Sequence, residues 1–318
     1  MNRYARQEQL AEVGPAGQRR LRAARVLVVG CGGLGATAIP ALAGAGVGHL
    51  HLMDPDRVEE SNLHRQTLFR QSDIGRSKAV LAAQMAMALN PEVSASTQMA
   101  RLDAASVIGA LKGIDLVVDA ADSFAATYVL SDACRDLAVP LISASVLGRS
   151  GYVGGFCGGA PSYRAVFPDL PTDCQTCAEA GVLGPVVATL GALQAQMVLS
   201  CLLGLAPSPL GQMMQVDLAN WRVSSFRFDG AEEVAGHGFV ATSQVLPQDR
   251  VIELRPAEEA TLALPQATRV PARDLSNLPK VAGRTVLACR SGLRAWAAAD
   301  QLAAAGHRDL VLLAAGDG

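Results

Sequence analysis

The chain alternates short apolar runs with longer stretches of helical period. Val26 to Val29, Leu50 to Met53, Leu116 to Val118 and Leu141 to Ser143 are strand-length apolar runs, with helical stretches such as Lys78 to Leu89 and Thr127 to Leu137 between them. Continuously apolar strands separated by helices predict a doubly wound, mainly parallel, Rossmann-like α/β sheet with helices on both faces. Further strand-like runs, Tyr152 to Cys157, Met213 to Asp217 and Val223 to Phe228, are expected to extend or flank it. Val182 to Ala206 is apolar apart from Gln194 and Gln196 and is long enough to span a bilayer. Gly184-Pro185 and Gly191 interrupt it and no basic flank follows, so it reads as a buried core helix.

The pattern changes after Asp229. Residues 1–229 form the larger predicted domain, and 230–242, opening with the Gly-, Ala- and Glu-rich stretch Gly230 to Gly238, read as a linker. Residues 243–318 then carry strand-like runs at Val251 to Leu254, Thr285 to Ala288 and Leu310 to Leu313 and a helix at Ala295 to Ala305, which predicts a second, smaller α/β domain.

Half of the 318 residues are hydrophobic, enough for a substantial core. The formal net charge is -2 and Lys and Arg nowhere cluster in fives, so neither nucleic acid nor an anionic membrane is an expected partner. Met1 to Ala24 lacks the apolar core of a secretory signal, and a cytoplasmic location is expected. Seven cysteines, an odd number, suggest free thiols, metal ligands or redox chemistry rather than a disulfide framework.

Within Val26 to Asp54, a strand, a glycine loop, a small-residue helix and a second strand follow one another. Gly30, Gly32 and Gly35 place the loop at the carboxyl end of the first strand, where the next helix turns its free N–H groups toward a phosphate. Asp54, 19 residues beyond Gly35, closes the second strand, where a carboxylate can accept hydrogen bonds from ribose hydroxyls. NAD, FAD and ATP all use such loops. Asp56, the run Ser61 to Gln66 and Gly75 to Lys78 narrow the choice. Asn62, Arg65 and Lys78 supply an amide and two cations suited to a triphosphate, and Asp122 lies beyond a further strand end, where it can hold Mg²⁺. Singly, Lys78 reads equally as a solvated helix start and Arg65 as an ion-pair partner; together with the glycine loop they favour ATP.

These residues carry a resemblance. Arg3-Tyr4-Ala5-Arg6-Gln7, the loop GCGGLG, the runs SNLHRQ and IGRSK, and Cys177 to Pro185 resemble, in order, the E1-like adenylyltransferases of the ThiF, MoeB and HesA superfamily, over roughly residues 1–228. The resemblance implies an enzyme that attaches AMP to the C-terminal Gly-Gly carboxylate of a MoaD- or ThiS-like ubiquitin-like sulfur carrier and releases pyrophosphate. By the same resemblance Gly30, Gly32, Gly33 and Gly35 line the phosphate loop, Asp54 holds the ribose with Asp56 beside it, and Asn62, Arg65 and Lys78 meet the phosphates. Asp122 matches a magnesium ligand, Arg6 an arginine that reaches into the partner subunit's site of a homodimer, and Cys177 a cysteine that in some members bonds covalently to the carrier tail.

The chain departs from the family pattern at several points. Many members hold a structural zinc with two CxxC pairs. Here Ser162 and Ala165 occupy the first pair's positions, no cysteine lies between Cys201 and Cys289, and Cys174 with Cys177 gives two thiolates, so no zinc site is expected. Ser123 stands where asparagine is common, and Pro40 falls inside the helix after the glycine loop, where a kink is expected.

In the last segment Cys289-Arg290-Ser291-Gly292-Leu293-Arg294 follows a strand and precedes a helix. A thiolate there faces backbone N–H groups, a helix N-terminus and two arginines. The run resembles the persulfide-carrying loop of a rhodanese domain, as in MoeZ-type fusions, although the early rhodanese signatures survive only as Glu253-Leu254-Arg255. The resemblance implies sulfur loading at Cys289 from a donor such as a cysteine desulfurase, and tilts the pathway toward molybdenum cofactor synthesis. Adenylation of another substrate, a peptide C-terminus or tRNA base, and a non-catalytic binding protein stand as alternatives.

Overall fold

The computed structural model describes residues 2–169 and 181–316. Helices α1 (Ala5–Glu8) and α2 (Gly14–Ala23) lead into β1 (Arg25–Val29), α3 (Gly35–Ala45), β2 (His49–Met53), α4 (Lys78–Leu89) and β3 (Ser94–Gln98). There follow α5 (Val107–Ala110), β4 (Leu116–Asp119), α6 (Phe124–Asp136), β5 (Leu141–Leu147), β6 (Ser150–Phe156), α7 (Tyr163–Val166), α8 (Gly184–Leu203), β7 (Gln212–Asp217) and β8 (Arg222–Arg227). The strands form one sheet of order β3-β2-β1-β4-β5-β6-β7-β8. The first five are parallel and the remainder antiparallel, so the second set of predicted strands extends the sheet.

Alternation along the central strands explains the two layers. Val26 and Val28 of β1 enter the core shared with α3, α4 and α8, whereas Leu27 and Val29 enter the core shared with α5 and α6. Strand β3, Ser-Ala-Ser-Thr-Gln, lacks the apolar run that marked the others because it is an edge strand with little of it buried. Helix α3 continues through Pro40 to Ala45. Helix α8 is the one element among the described residues long and apolar enough to cross a membrane, with half of its most apolar window buried against the protein. It packs on α3, β5 and β6. At Gly191 a Cβ would lie 2.7 Å from the Leu34 carbonyl oxygen, so the two helices meet at backbone distance.

The buried polar residue of that helix has work to do at the sheet. Gln194 Nε2 donates to the main-chain oxygens of Asp119, at 2.7 Å, and Ile142, at 3.1 Å. Asp119 ends β4 with 1% exposure. Its carboxylate accepts from Thr127 Oγ1 of α6 and Ser143 Oγ of β5, both at 2.8 Å, and from the Ala121 amide at 3.3 Å. One side chain thus ties two strands, a helix and the loop between them.

A second sheet follows, from β9 (Gly238–Phe239), β10 (Arg250–Glu253), β11 (Thr268–Arg269), β12 (Thr285–Cys289) and β13 (Leu310–Ala314), with α9 (Leu293–Ala304) before the last strand. Its order is β11-β10-β12-β13-β9 and every pairing is parallel. Gly238 and Phe239, which lie in the stretch read as linker, pair with Val311 and Leu312.

The Asp119 network makes stability depend on pH in a definite direction. Burial outweighs the three hydrogen bonds and pushes this carboxyl from 3.8 up to about 6. Below the unfolded value the group is protonated in both states; above the folded value it is ionised in both, and the native state bears the cost of the buried charge. The wild type therefore loses stability as pH rises between about 4 and about 6, by roughly 3 kcal/mol at about 1.4 kcal/mol per pKa unit. Asp119→Asn stays neutral throughout, so in urea unfolding the wild type should lose ground against the variant by up to that amount between pH 4 and pH 7. An unchanged gap would count against the assignment.

Candidate functional site

The glycine loop occupies the crevice between the carboxyl ends of β1 and β4, where the chain's winding reverses and α/β sheets bind their ligands. Gly30 adopts a φ of +97° and donates its N–H to the Met53 oxygen at 2.9 Å. A Cβ at Gly30 would stand 2.5 Å from the Ala120 oxygen, and one at Gly35 would stand 2.3 Å from the Gly30 oxygen, so neither position admits a side chain. At Gly32 a Cβ would meet only the Gln66 amide, at 3.5 Å. Backbone packing closes the loop's inner side and leaves space beside Gly32.

Asp54 fastens this loop to the end of β2. Its Oδ2 accepts from the Cys31 amide at 2.7 Å and its Oδ1 from the Asp56 amide at 2.8 Å. Burial raises the Asp54 pKa, and the two amides together with Lys78 work against that shift. Asp56 in turn meets Lys78 Nζ at 3.0 Å. Lys78 opens α4 behind the cap Ser77, its side chain 7% exposed against 60% for Asp56. The buried ammonium is therefore held on a preset stem, paired to an accessible carboxylate.

Asn62, Arg65 and Gln66 lie on the adjoining turn. Asn62 is buried and its Oδ1 accepts from the Glu59 amide at 3.2 Å, a capping role. Arg65 Nη1 donates to the Ser61 oxygen at 3.0 Å and lies 2.7 Å from His64 Nε2. A Cβ on Gly33 would be 3.8 Å from Arg65 Cγ, and one on Gly184 would be 2.5 Å from the His64 oxygen, so this turn is wedged between the glycine loop and the start of α8. Gln66, quoted in the sequence motif without a role, is 4% exposed and its Oε1 has no hydrogen-bond partner. A buried unpartnered acceptor beside the phosphate loop is costly unless a ligand satisfies it.

Asp122 is exposed on the β4–α6 loop, one residue beyond the Ala120-Ala121 segment against which Gly30 rests. Ser123 caps α6, accepting from the Ala126 amide at 3.4 Å. Asp119, which holds that loop from beneath, escaped the sequence reading; its signal was a carboxylate closing the apolar strand Leu116 to Asp119.

The structure does not bring every candidate to this crevice. Tyr4 packs against Gly46 beyond the end of α3 and accepts from Asn90 Nδ2, at the end of α4, at 2.8 Å. The neighbouring Arg6 is exposed and, among the described residues, meets Gln9, at 3.5 Å. Both helices begin at the crevice and run 11 and 12 residues, so Arg6 stands a helix length, roughly 16–18 Å, from its own chain's site. Cys174 and Cys177 lie outside the described residues. Where the first zinc pair would fall, the Ser162 amide and hydroxyl bind the Glu233 carboxylate at 2.7 and 2.6 Å, and among the described residues no three His, Cys, Asp or Glu gather as metal ligands.

Cys289 belongs to the second sheet. It is fully buried at the end of β12, and its sulfur accepts from the amides of Gly292 at 3.2 Å and Ala295 at 3.3 Å. Arg294 pairs with Glu259, and the Glu253-Leu254-Arg255 triplet forms a buried ion pair, with Arg255 Nε 2.9 Å from Glu253 Oε1 and Nη2 2.8 Å from Oε2.

A model of the ThiF family matches residues 4–234. The chain is 41% identical over 219 residues to the SAMP-activating enzyme E1 of Haloferax volcanii, covering 68% of this chain and 81% of that protein. It is 40% identical over 225 residues to the sulfur carrier protein adenylyltransferase of Thermus thermophilus, covering 68% and 83%. Against the adenylyltransferase and sulfurtransferase MOCS3 of Bos taurus the identity is 43% over 220 residues, covering 68% of this chain but 48% of the bovine protein. The crystal structure of E. coli MccB with MccA-N7isoASN shares the fold, with a TM-score of 0.64 at 23% identity over 72% of each chain. On the match over residues 4–234 and on relatives at and above 40% identity, the chain belongs to the ThiF family.

Proposed function

We propose that this chain uses ATP to adenylate the C-terminal Gly-Gly carboxylate of a ubiquitin-like sulfur-carrier protein, releasing pyrophosphate. The observation that carries the reading is the crevice in which the glycine loop, the Lys78–Asp56 pair and the Asp122 loop meet, with the unpartnered Gln66 Oε1 buried beside it. This donor set fits a nucleotide triphosphate: amides and two cations for the phosphates, and buried acceptors for hydroxyl or amino groups. The names of the relatives in Haloferax and Thermus point to carrier activation.

In the reaction a carrier carboxylate oxygen bonds to the α-phosphorus as the bond to the bridging oxygen of pyrophosphate breaks, with no change of oxidation state. Lys78 and Arg65 face negative charge that gathers on the phosphate oxygens, and Asp54 keeps the loop amides aimed. Asp122 would hold Mg²⁺, which neutralises phosphate charge when bound. The enzyme in this reading is a cytoplasmic homodimer in which Arg6 serves the neighbouring subunit, since its own site lies a helix length away. Cys289, accepting two amide hydrogen bonds, would carry the sulfur delivered by a donor such as a cysteine desulfurase, and Cys177 would meet the carrier tail.

Exchange of labelled pyrophosphate into ATP should require an added Gly-Gly-ended carrier. Lys78→Ala and Asp122→Asn should each lower it on the order of 100-fold. Exchange without any carrier, or none with any, would defeat the reading. For the shared site, mixing inactive Arg6→Ala and Lys78→Ala chains should restore about a quarter of wild-type exchange, because about half of random dimers are mixed and each holds one intact site. A mixture as inactive as its components would mean that Arg6 does not act across the dimer.

A further inference from the structure

The second sheet is docked on the helix that carries the Asp122 loop. Trp296 of α9 is 3% exposed and packs its ring on Phe124 and Tyr128 of α6, with centroids 5.6 and 4.9 Å apart. Phe239 of β9 lies 6.2 Å from Phe124. Arg164 completes the contact: its guanidinium sits 4.9 Å from the Tyr128 ring and 5.2 Å from the Trp296 ring, held by Asp132 at 3.0 and 2.7 Å. The Cys289 loop joins it, because a Cβ at Gly292 would stand 2.5 Å from Phe239 and 3.8 Å from Ala125. Phe124 is the first residue of α6, directly after the cap Ser123 and two residues after Asp122.

We propose that the C-terminal unit is a positioning element of the adenylation crevice, with Trp296 seated on Phe124 and Tyr128 fixing the start of α6 and hence the Asp122 loop. This rests on the function proposed above. Asp119 holds the same helix to the large sheet through Thr127, so the first turn of α6 is tied both to that sheet and to the second unit. A loop aligned this way loses rate when its support shifts by a fraction of an ångström.

The chain's two tryptophans make the idea measurable, since Trp221 is 86% exposed and Trp296 is buried in the contact. In Trp221→Phe, where Trp296 is the remaining reporter, ATP with Mg²⁺ should change the emission saturably, with the midpoint found by calorimetry for ATP binding. Trp296→Leu should lower kcat or raise the ATP KM by about tenfold, with the carrier KM, far-UV dichroism and cooperative melting retained; Trp296→Phe, which keeps a ring on Phe124, should recover most of that loss. Calorimetric ATP binding with unchanged Trp296 emission, or Trp296→Leu with wild-type exchange kinetics, would overturn the proposal while leaving the adenylation reading intact. Absence of ATP binding would overturn both. Should Trp296→Leu fail to fold, the emission experiment and Trp296→Phe decide.

Discussion

Where Gly30 meets Ala120 the main chains touch, and the arrangement of the crevice follows from that contact. A Cβ at Gly30 would overlap the Ala120 carbonyl, so glycine there lets the β1–α3 loop and the β4–α6 loop lie against each other. The first loop presents amides and the start of α3; the second presents Asp122 and the start of α6. Neither loop is held by the contact alone. Asp54 pins one through the Cys31 amide, and Asp119 pins the other through the Ala121 amide, each carboxylate being buried at the end of its strand. Two desolvated carboxylates are an expensive way to fix two loops, since burial raises the pKa of both. Their expense is reasonable where the geometry of several donors must be set before a ligand arrives.

The charges around the crevice divide into committed and accessible ones. The Lys78 side chain is 7% exposed and already paired with Asp56, while Asp56 and Asp122 remain open to solvent. An ammonium emerging from an apolar stem cannot swing away, so its position is set by α4 and by the Ser77 cap rather than by the ligand. Arg65 is different: it bonds a carbonyl and a neighbouring histidine, contacts it can exchange for phosphate oxygens at little cost.

Much of this was legible in the chain because the signals are local. The strand runs, the glycine spacing, Asp54 and the helix beginning at Lys78 occupy a few consecutive residues each, and each fell where the pattern placed it. Asp119 and Gln66 were missed for one reason: their roles depend on partners 24 residues away at Ser143 and, for Gln66, on the space beside Gly32. Edge strand β3 was missed because burial writes the apolar pattern and β3 has little. Gln194 was visible as a polar interruption of an apolar helix, but its reason, two strand-end carbonyls, lies in the fold.

The same distinction governs the C-terminal unit. Its Cys289 loop is a local signal and lies between a strand and a helix, with two amides on the sulfur. Its contact with α6 is long-range: Trp296, Phe239 and Gly292 meet Phe124, Ala125 and Tyr128 across more than a hundred residues. The two features make opposite demands. A sulfur that is fully buried can react only after its loop opens, whereas aromatic packing on the first turn of α6 steadies the Asp122 loop only while the units stay docked. Because Gly292 of that same loop is packed against both Phe239 and Ala125, opening around Cys289 disturbs the docking contact itself. In the proposed reading, sulfur chemistry at Cys289 and an aligned adenylation crevice would therefore belong to different states of one interface, with carboxylate activation in the docked one.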